Sequence, residues 1–286
     1  MPAKTNTRID HARRIDRAIR HLAQRLDAPL SLDDLAAVAC FSPCHFHRIF
    51  HAATGETPAE ALRRLRLDRA AAELVQGTAT VPAIARRAGY GSVAAFTRAF
   101  AGFYGTTPAA YRAGGLAASP SRPAPKMENA MHDVRIEERP AFRLASIPHA
   151  GRYTDIGATF DRVGAWLGAR GLIDAHTRWI GIYHDDPAHV PVDKLRSEAC
   201  GTVGPEVGPD ETIRIVGLAG GRHAVLRFKG PYSELEGAYR WLFGTWLSGS
   251  GEEAADRPCH EEYLNDPKTT PPAELLTDIC LPLVPR

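Results

Sequence analysis

Two stretches decide the fold: Phe46-His47-Arg48-Ile49-Phe50 with Gly55-Glu56-Thr57-Pro58 behind it, and Phe96-Thr97-Arg98-Ala99-Phe100 with Gly105-Thr106-Thr107-Pro108 behind it. The second repeats the first fifty positions later. Upstream of each lies a small-residue segment, Leu35-Ala36-Ala37-Val38-Ala39 and Ile84-Ala85-Arg86-Arg87-Ala88, matched at an offset of forty-nine. The extra residue falls where Gly89-Tyr90-Gly91-Ser92 replaces Cys40-Phe41-Ser42, so the insertion sits in a turn. A short helix, a tight turn and a second helix with apolar residues four apart reads as a helix-turn-helix. Two of them predict a protein that touches double-stranded DNA in two places.

The neighbouring segments extend this reading. Ile15, Ile19, Leu22 and Leu26 fall at helical spacing with arginines on the other faces, which predicts a first helix ended by Ala28-Pro29. Ser31 stands where an N-cap belongs, with Asp33 and Asp34 in the first helical turn, favourable to the helix dipole. Ser42-Pro43 restarts a helix whose buried face is Phe46, Ile49 and Phe50, leaving Cys44, His45, His47, Arg48 and His51 turned largely outward. Thr57-Pro58 opens a long helix that connects the two units, and Gly114 to Pro125 reads as a linker of Gly, Ala, Ser and Pro.

Charge divides the chain the same way. Residues 1–125 hold 17 Lys and Arg against 9 Asp and Glu, whereas residues 126–286 hold 18 against 24. A basic half joined to an acidic one predicts that the first binds polyanions and the second does not. Five cysteines without even spacing make no disulfide framework and fit a reducing cytoplasm. The polar start and the lack of a long apolar run predict a cytoplasmic protein, nucleoid-associated when bound to DNA, with no membrane partner.

Beyond Val134 strand-like segments, Arg143–Ile147, Trp179–Tyr183 and Ala224–Phe228, alternate with helical ones, and the chain repeats itself again. Gly151-Arg152-Tyr153 with Phe160 and Trp166 matches Gly230-Pro231-Tyr232 with Tyr239 and Trp246 at an offset of 79 to 80. Tyr183, Asp186, Pro187 and Cys200 match Tyr263, Asp266, Pro267 and Cys280 at 80. Two copies of one strand and helix unit about a pseudo-two-fold predict a ligand cleft between the halves. Glu261 breaks that repeat, because its counterpart is Gly181. Strand alternation puts Glu261 and Tyr263 on one face, and His260 and Glu262 on the other, with Glu262 read as a surface residue. A carboxylate with Tyr263, Tyr153, Trp166, Tyr183, Tyr232 and Trp246 as candidate walls suits an organic cation, through charge pairing and attraction to ring faces. A solvated surface carboxylate is the plain alternative.

The doubled motif resembles the AraC family of transcription regulators over roughly residues 8–112, most specifically in Ile84-Ala85, Gly89-Tyr90, Phe96-Thr97-Arg98-Ala99-Phe100, Gly105-Thr106-Thr107-Pro108 and Tyr111-Arg112. The resemblance implies that the second helix of each unit enters a major groove. By position the first would present Ser42, Cys44, His45, His47 and Arg48, and the second Ser92, Val93, Ala94, Thr97 and Arg98. The first set is richer in hydrogen-bonding groups, which makes it the candidate for the stricter reader. Arg48 and Arg98 also have a plain reading, as surface arginines holding an acidic neighbour or a phosphate. Cys40, Cys44, His45, His47 and His51 are spread around a helix and its preceding turn, and exposed positions on a reading helix account for them better than a metal does.

The remainder resembles the GyrI-like family of effector-binding domains over roughly residues 132–284, in Gly181-Ile182-Tyr183, Asp185-Asp186-Pro187, Lys229-Gly230-Pro231-Tyr232, Asn265-Asp266-Pro267 and Thr277-Asp278-Ile279-Cys280-Leu281-Pro282. That likeness implies a central cleft for bulky, aromatic or cationic compounds, with Glu261 as its acidic residue. The expected architecture is multidomain: an all-α double helix-turn-helix domain at 8–113, a linker at 114–130 and an α+β domain with an internal duplication at 131–286. The expected function is a ligand-responsive transcription regulator whose partners are operator DNA, a small-molecule effector and RNA polymerase, with no cofactor, metal or catalytic residue. The alternatives are a small-molecule hydrolase using Glu261 and a constitutive DNA-binding protein whose second domain recruits a protein.

Overall fold

The computed structural model describes residues 3–114, 132–187 and 190–286. Apart from Gly114, the expected linker lies outside them. Seven helices open the chain: α1 (Ala3–Gln24), α2 (Leu32–Ala39), α3 (Pro43–Thr54), α4 (Pro58–Gln76), α5 (Val81–Arg87), α6 (Val93–Tyr104) and α7 (Pro108–Gly114). Helices α2–α3 and α5–α6 are the two helix-turn-helix units. Ser31 caps α2, its hydroxyl accepting the Asp34 amide at 3.2 Å. Thr57 and Glu60 form a reciprocal capping box at the start of α4, at 3.0 and 2.8 Å.

The turn of each unit passes through the left-handed region, at Cys40 (φ 55°) in the first and Gly89 (φ 84°) in the second. Phe41 and Tyr90 follow them, and their amides return to Ala36 and Ala85 in the same way. The inserted residue is therefore Gly91, one step later. On the connector α4, Arg64 pairs with Glu56 at 2.7 Å and Arg69 with Asp27 at 2.7 Å, while Arg66 donates to the Leu26 carbonyl at 2.7 Å. Three of its arginines thus brace the helical domain.

The second domain contains β1 (Val134–Arg139), β2 (Phe142–Ala150), α8 (Gly157–Gly168), β3 (Trp179–Tyr183), β4 (Arg196–Thr202), β5 (Arg214–Leu218), β6 (Gly221–Lys229), α9 (Leu235–Trp241), α10 (Ser248–Ser250), β7 (His260–Tyr263) and β8 (Leu276–Pro282). Its strands form one antiparallel sheet in the order β1-β6-β8-β7-β3-β4-β2-β5. The duplication is visible in that order, because β5-β2-β4-β3 mirrors β1-β6-β8-β7 about the β3–β7 junction. The halves exchange their edge strands: β1 pairs with β6 of the second half, and β5 with β2 of the first. At the junction Gly181 lies directly opposite Glu261. Repeat counterparts that face each other lie on the pseudo-two-fold axis.

The two helix-turn-helix units are packed differently. Phe96 and Phe100 of the second lie in a helical core of their own, with Leu67, Leu74, Ile84 and Tyr111. Phe46 and Phe50 of the first belong to a core that continues through Leu35 and Leu62 into Tyr239, Leu242, Phe243, Ile279 and Leu281 of the second domain. The contact is made by α3 against α9 and the π-helical turn Leu242–Leu247 that extends it. At Gly244 that turn carries no side chain, and a Cβ there would lie 3.0 Å from the Ala52 Cβ of α3. Close approach of the helices depends on this glycine.

Candidate functional site

Glu261 stands on a central strand, where period-two alternation sends it and Tyr263 to the face covered by α8 and α9. Opposite it, the missing side chain at Gly181 makes the room: a Cβ there would sit 2.8 Å from the Tyr183 ring and 2.9 Å from the Tyr263 hydroxyl. Tyr183 and Tyr263 are repeat counterparts, and their hydroxyls are 2.5 Å apart across that gap. Tyr263 donates to Glu261 Oε2 at 3.0 Å, and Tyr239, from α9, donates to Oε1 at 3.0 Å. A phenol has one hydrogen, so with Glu261 ionised the hydroxyl chain runs from Tyr183 to Tyr263 to the carboxylate.

These groups line a cavity of about 1140 Å³. Phe160 and Tyr232 meet the Tyr263 ring edge-on, at 5.3 and 5.4 Å between centroids. Tyr153 meets Tyr183 at 4.7 Å, and its hydroxyl is held by the Asp185 carbonyl at 2.9 Å. Trp179, Ile156, Leu195 and Leu235 complete an apolar wall, with Asp161, Asp186, Glu236 and Asp266 among the lining residues. A large aromatic cavity with few, convergent polar groups is the usual form of a small-molecule site.

Burial raises the Glu261 carboxyl to about 7, against the opposing pull of the Tyr263 and Tyr239 hydrogen bonds and the Arg48 charge. Burial likewise pushes the phenols of Tyr183, Tyr239 and Tyr263 well above their ordinary value, and those of Tyr153 and Tyr232 to about 12. At neutral pH they are hydrogen-bond donors, never anions. Among the described residues no group of three or more His, Cys, Asp or Glu side chains is placed to hold a metal ion.

Of the residues expected in the cleft, Glu261, Tyr263, Tyr153, Tyr183 and Tyr232 line it, while Trp166 and Trp246 do not. Trp166 turns away on α8, donating its indole N–H to Asp210 at 2.7 Å with the Arg170 guanidinium 3.9 Å over its ring. Trp246 packs against the shared core. Helical spacing shows that such residues are apolar-facing but not which side of the helix meets the cavity. Glu262, expected at the surface, is buried: Arg139 binds one oxygen and Arg178 the other at 2.7 Å. The opposite face of β7 is covered too, so alternation told the faces apart and not their exposure.

Of the lining residues not expected, Tyr239 and Arg48 carry most of the polar chemistry. Tyr239 stood in the sequence as the repeat partner of Phe160, a signal that located it without revealing its hydroxyl's target. Arg48 was assigned to DNA. Its guanidinium instead enters the cavity, 4.3 Å from the Tyr239 ring centre and 5.9 Å from that of Phe243, with a hydrogen bond to the Asp185 carbonyl at 3.4 Å.

The other positions expected to face DNA divide between the two units. On the first, His45 is buried rather than outward, its ring 5.3 Å from Phe243. Burial and the Arg48 charge lower its pKa to about 4, so it is neutral. Ser42 donates to Asp256 at 2.8 Å, and the same oxygen accepts the Cys44 amide at 3.3 Å. Burial and Asp256 raise the Cys44 thiol to about 11. His47 is half-buried. On the second unit Ser92 caps α6, Val93, Ala94 and Arg98 are exposed, and Thr97 is half-exposed.

The fold and the cavity together define a class: a helix-turn-helix protein with a small-molecule-binding domain. The chain belongs to the GyrI-like family, whose small molecule binding domain matches residues 132–284, and a helix-turn-helix domain matches residues 35–114. The helical domain is of the AraC type, and the whole is a DNA-binding transcription regulator with a small-molecule-binding domain. The chain is 28% identical over 160 residues to a protein of Escherichia coli named "Probable transcriptional regulator YgiV", covering 55% of this chain and 99% of that one. It is 30% identical over 115 residues to a "DNA gyrase inhibitor" of Edwardsiella ictaluri, covering 39% and 72%. Among solved structures it is similar to the EcmrR C-terminal domain, with TM-score 0.48 and 18% identity over 54% of this chain and 99% of that one. It is also similar to the AdpA DNA-binding domain in complex with a target DNA, with TM-score 0.31 and 30% identity over 35% and 89%. Among the described residues no helix is long and apolar enough to cross a membrane.

Proposed function

We propose that the effector is an organic cation with aromatic or apolar bulk, held by Glu261 and the rings of Tyr153, Tyr183, Tyr232, Tyr239 and Tyr263. The observation that carries this reading is a buried carboxylate, fixed by two phenols, in the lining of an aromatic cavity. A cation gains there both an ion pair in low dielectric and the negative faces of the rings. The cavity senses and does not turn its ligand over: both Glu261 oxygens accept phenolic hydrogens, which leaves the carboxylate poorly placed to draw a proton from water. DNA is met by α6 through Ser92, Val93, Ala94, Thr97 and Arg98, and RNA polymerase is the further partner that such a regulator entails.

A thermal-shift screen of aromatic cations, repeated with Glu261→Gln, tests the assignment. Stabilisation of the wild type that the variant loses, with the compound recovered unchanged, is the expected result. Steady product formation abolished in the variant would make the domain a hydrolase.

A further inference from the structure

Arg48 belongs to α3, the reading helix of the first unit, yet it ends inside the cavity of the other domain. There it does what an organic cation would do: its guanidinium lies over the Tyr239 ring, 4.3 Å from the centre, and its charge opposes the rise that burial imposes on the Glu261 carboxyl. Other residues of that helix take part in the same contact, although the Cys44 side chain stays exposed. His45 packs on Phe243, Ala52 backs onto Gly244, and Ser42 and the Cys44 amide are held by Asp256. A major groove admits a helix only when its outward face is free. In this arrangement α3 is covered on that side, while α6 is open with Arg98, the repeat counterpart of Arg48, exposed.

We propose that Arg48 is the cavity's resident cation: it docks α3 against the second domain when no effector is bound, and an aromatic cation that takes its place beside Glu261 and Tyr239 frees α3 for DNA. The inference rests on the cation reading of the cavity. It adds that ligand and α3 compete for one position. Glu261 and Asp186 both act on the Arg48 charge, and a second cation placed beside the guanidinium in low dielectric meets strong repulsion. Effector binding and α3 docking are therefore mutually exclusive, which is the differential affinity that a switch requires.

Competition has a consequence that separates it from a fixed wall. The apparent dissociation constant for the effector is the intrinsic one divided by the fraction of molecules that are undocked. Any change that loosens α3 strengthens cation binding, even when it leaves Arg48 and every other cavity residue in place. Gly244→Leu is such a change, because its side chain would wedge between the Leu242–Leu247 turn and Ala52, one helical turn along α3 from Arg48. Arg48→Met removes the competing charge directly and guards against misfolding of the first variant. Retention of the β-sheet circular dichroism spectrum checks both.

The experiment uses the full chain and tetraphenylphosphonium as probe, with tetraphenylborate as its anionic counterpart. Affinity is measured by calorimetry, and amide hydrogen exchange is followed over residues 43–54 and 93–104. Tetraphenylphosphonium is expected to speed exchange across 43–54 about tenfold in the wild type, leaving 93–104 unchanged. Gly244→Leu and Arg48→Met should show fast exchange there without ligand and bind the probe about tenfold more tightly. Probe binding to the variants alone would support still stronger docking. Stoichiometric binding to the wild type with no change over 43–54, or wild-type affinity in Gly244→Leu, would make α3 a fixed wall and overturn the switch, while the cation reading stands. Binding of tetraphenylborate in place of the cation, or failure of all three proteins to bind tetraphenylphosphonium, would remove the cation reading and the switch with it.

Discussion

Replacing Glu261 by glutamine should change how stability depends on pH, and the structure sets both the sign and the size. The native carboxyl titrates near 7, raised by burial from an ordinary value of 4.5. The native state therefore holds a proton that the unfolded chain releases between these values, and stability falls as pH rises through the window. A difference of about 2.5 pH units corresponds to roughly 3 kcal/mol, of which about 2.5 kcal/mol falls between pH 5 and 8. Glutamine has the same shape and no titration. Its NH2 group donates where a carboxylate oxygen accepted, which forces Tyr239 or Tyr263 to reorient, but that cost does not vary with pH and leaves the slope alone.

Urea unfolding of both proteins at each pH from 5 to 8 gives the measurement. The groups around Glu261 stay in one protonation state across that range: Tyr183, Tyr232, Tyr239, Tyr263 and the Cys259 thiol are all raised, and Arg48 is always charged. Other titrations, such as the buried His223 and His260, are shared and cancel in the difference. The wild type should lose about 2.5 kcal/mol relative to Glu261→Gln between pH 5 and 8. The same proton opposes a cation, so tetraphenylphosphonium affinity should rise up to about tenfold per pH unit below 7 and flatten above it. A stability difference independent of pH would mean that Glu261 is already ionised at pH 5, and the account of its burial would be wrong.

Three other substitutions test separate parts of the structure. Gly181→Ala places a methyl group against the Tyr183 ring and the Tyr263 hydroxyl; it should cost about 1–3 kcal/mol in urea unfolding and weaken cation binding, whereas wild-type stability would show that the junction has slack. Arg139→Met leaves buried Glu262 with only the half-exposed Arg178 as partner; a loss of about 3–5 kcal/mol is expected, largely recovered in Arg139→Met/Glu262→Met, and no recovery would refute the ion-pair explanation. Arg98→Ala should weaken binding to a selected operator and to scrambled duplex alike and lower the salt slope by about one, whereas a loss confined to the operator would make Arg98 a base reader.

Much of the fold was legible because both duplications leave periodic traces. Phe46/Phe50 and Phe96/Phe100 located the helix-turn-helix units, and the offset of 80 located β3 and β7 and the break at Gly181. Face assignment along β7 was legible as well, since period two is strict in a strand. Exposure was not. Glu262 and His45 are polar residues on outward-looking faces, and what buries them, Arg139 in one case and Phe243 in the other, lies 123 and 198 positions away in sequence. Local pattern carries no information about a partner that far along the chain. The place of Arg48 in the cavity was hidden for the same reason: a basic residue on a reading helix looks the same whether DNA or a second domain covers it.

The two departures from symmetry acquire their meaning together. A helix-turn-helix duplicated without change would offer DNA two equivalent helices, and a strand and helix unit duplicated without change would have the same residue on both sides of the β3–β7 junction. Neither holds here. In the second duplication glycine on one side and glutamate on the other create a single buried carboxylate in a ring of tyrosines. In the first, Arg98 stays exposed, whereas Arg48 extends across the domain boundary into that ring. A buried Glu261 carboxylate and a half-buried Arg48 guanidinium each carry a desolvation cost, and sharing one cavity, with Asp186 also acting on Arg48, offsets part of both. The arrangement that settles the electrostatics of the ligand-free protein is therefore the one that covers a reading helix, and a ligand able to compensate Glu261 in place of Arg48 acts on DNA binding through that same charge.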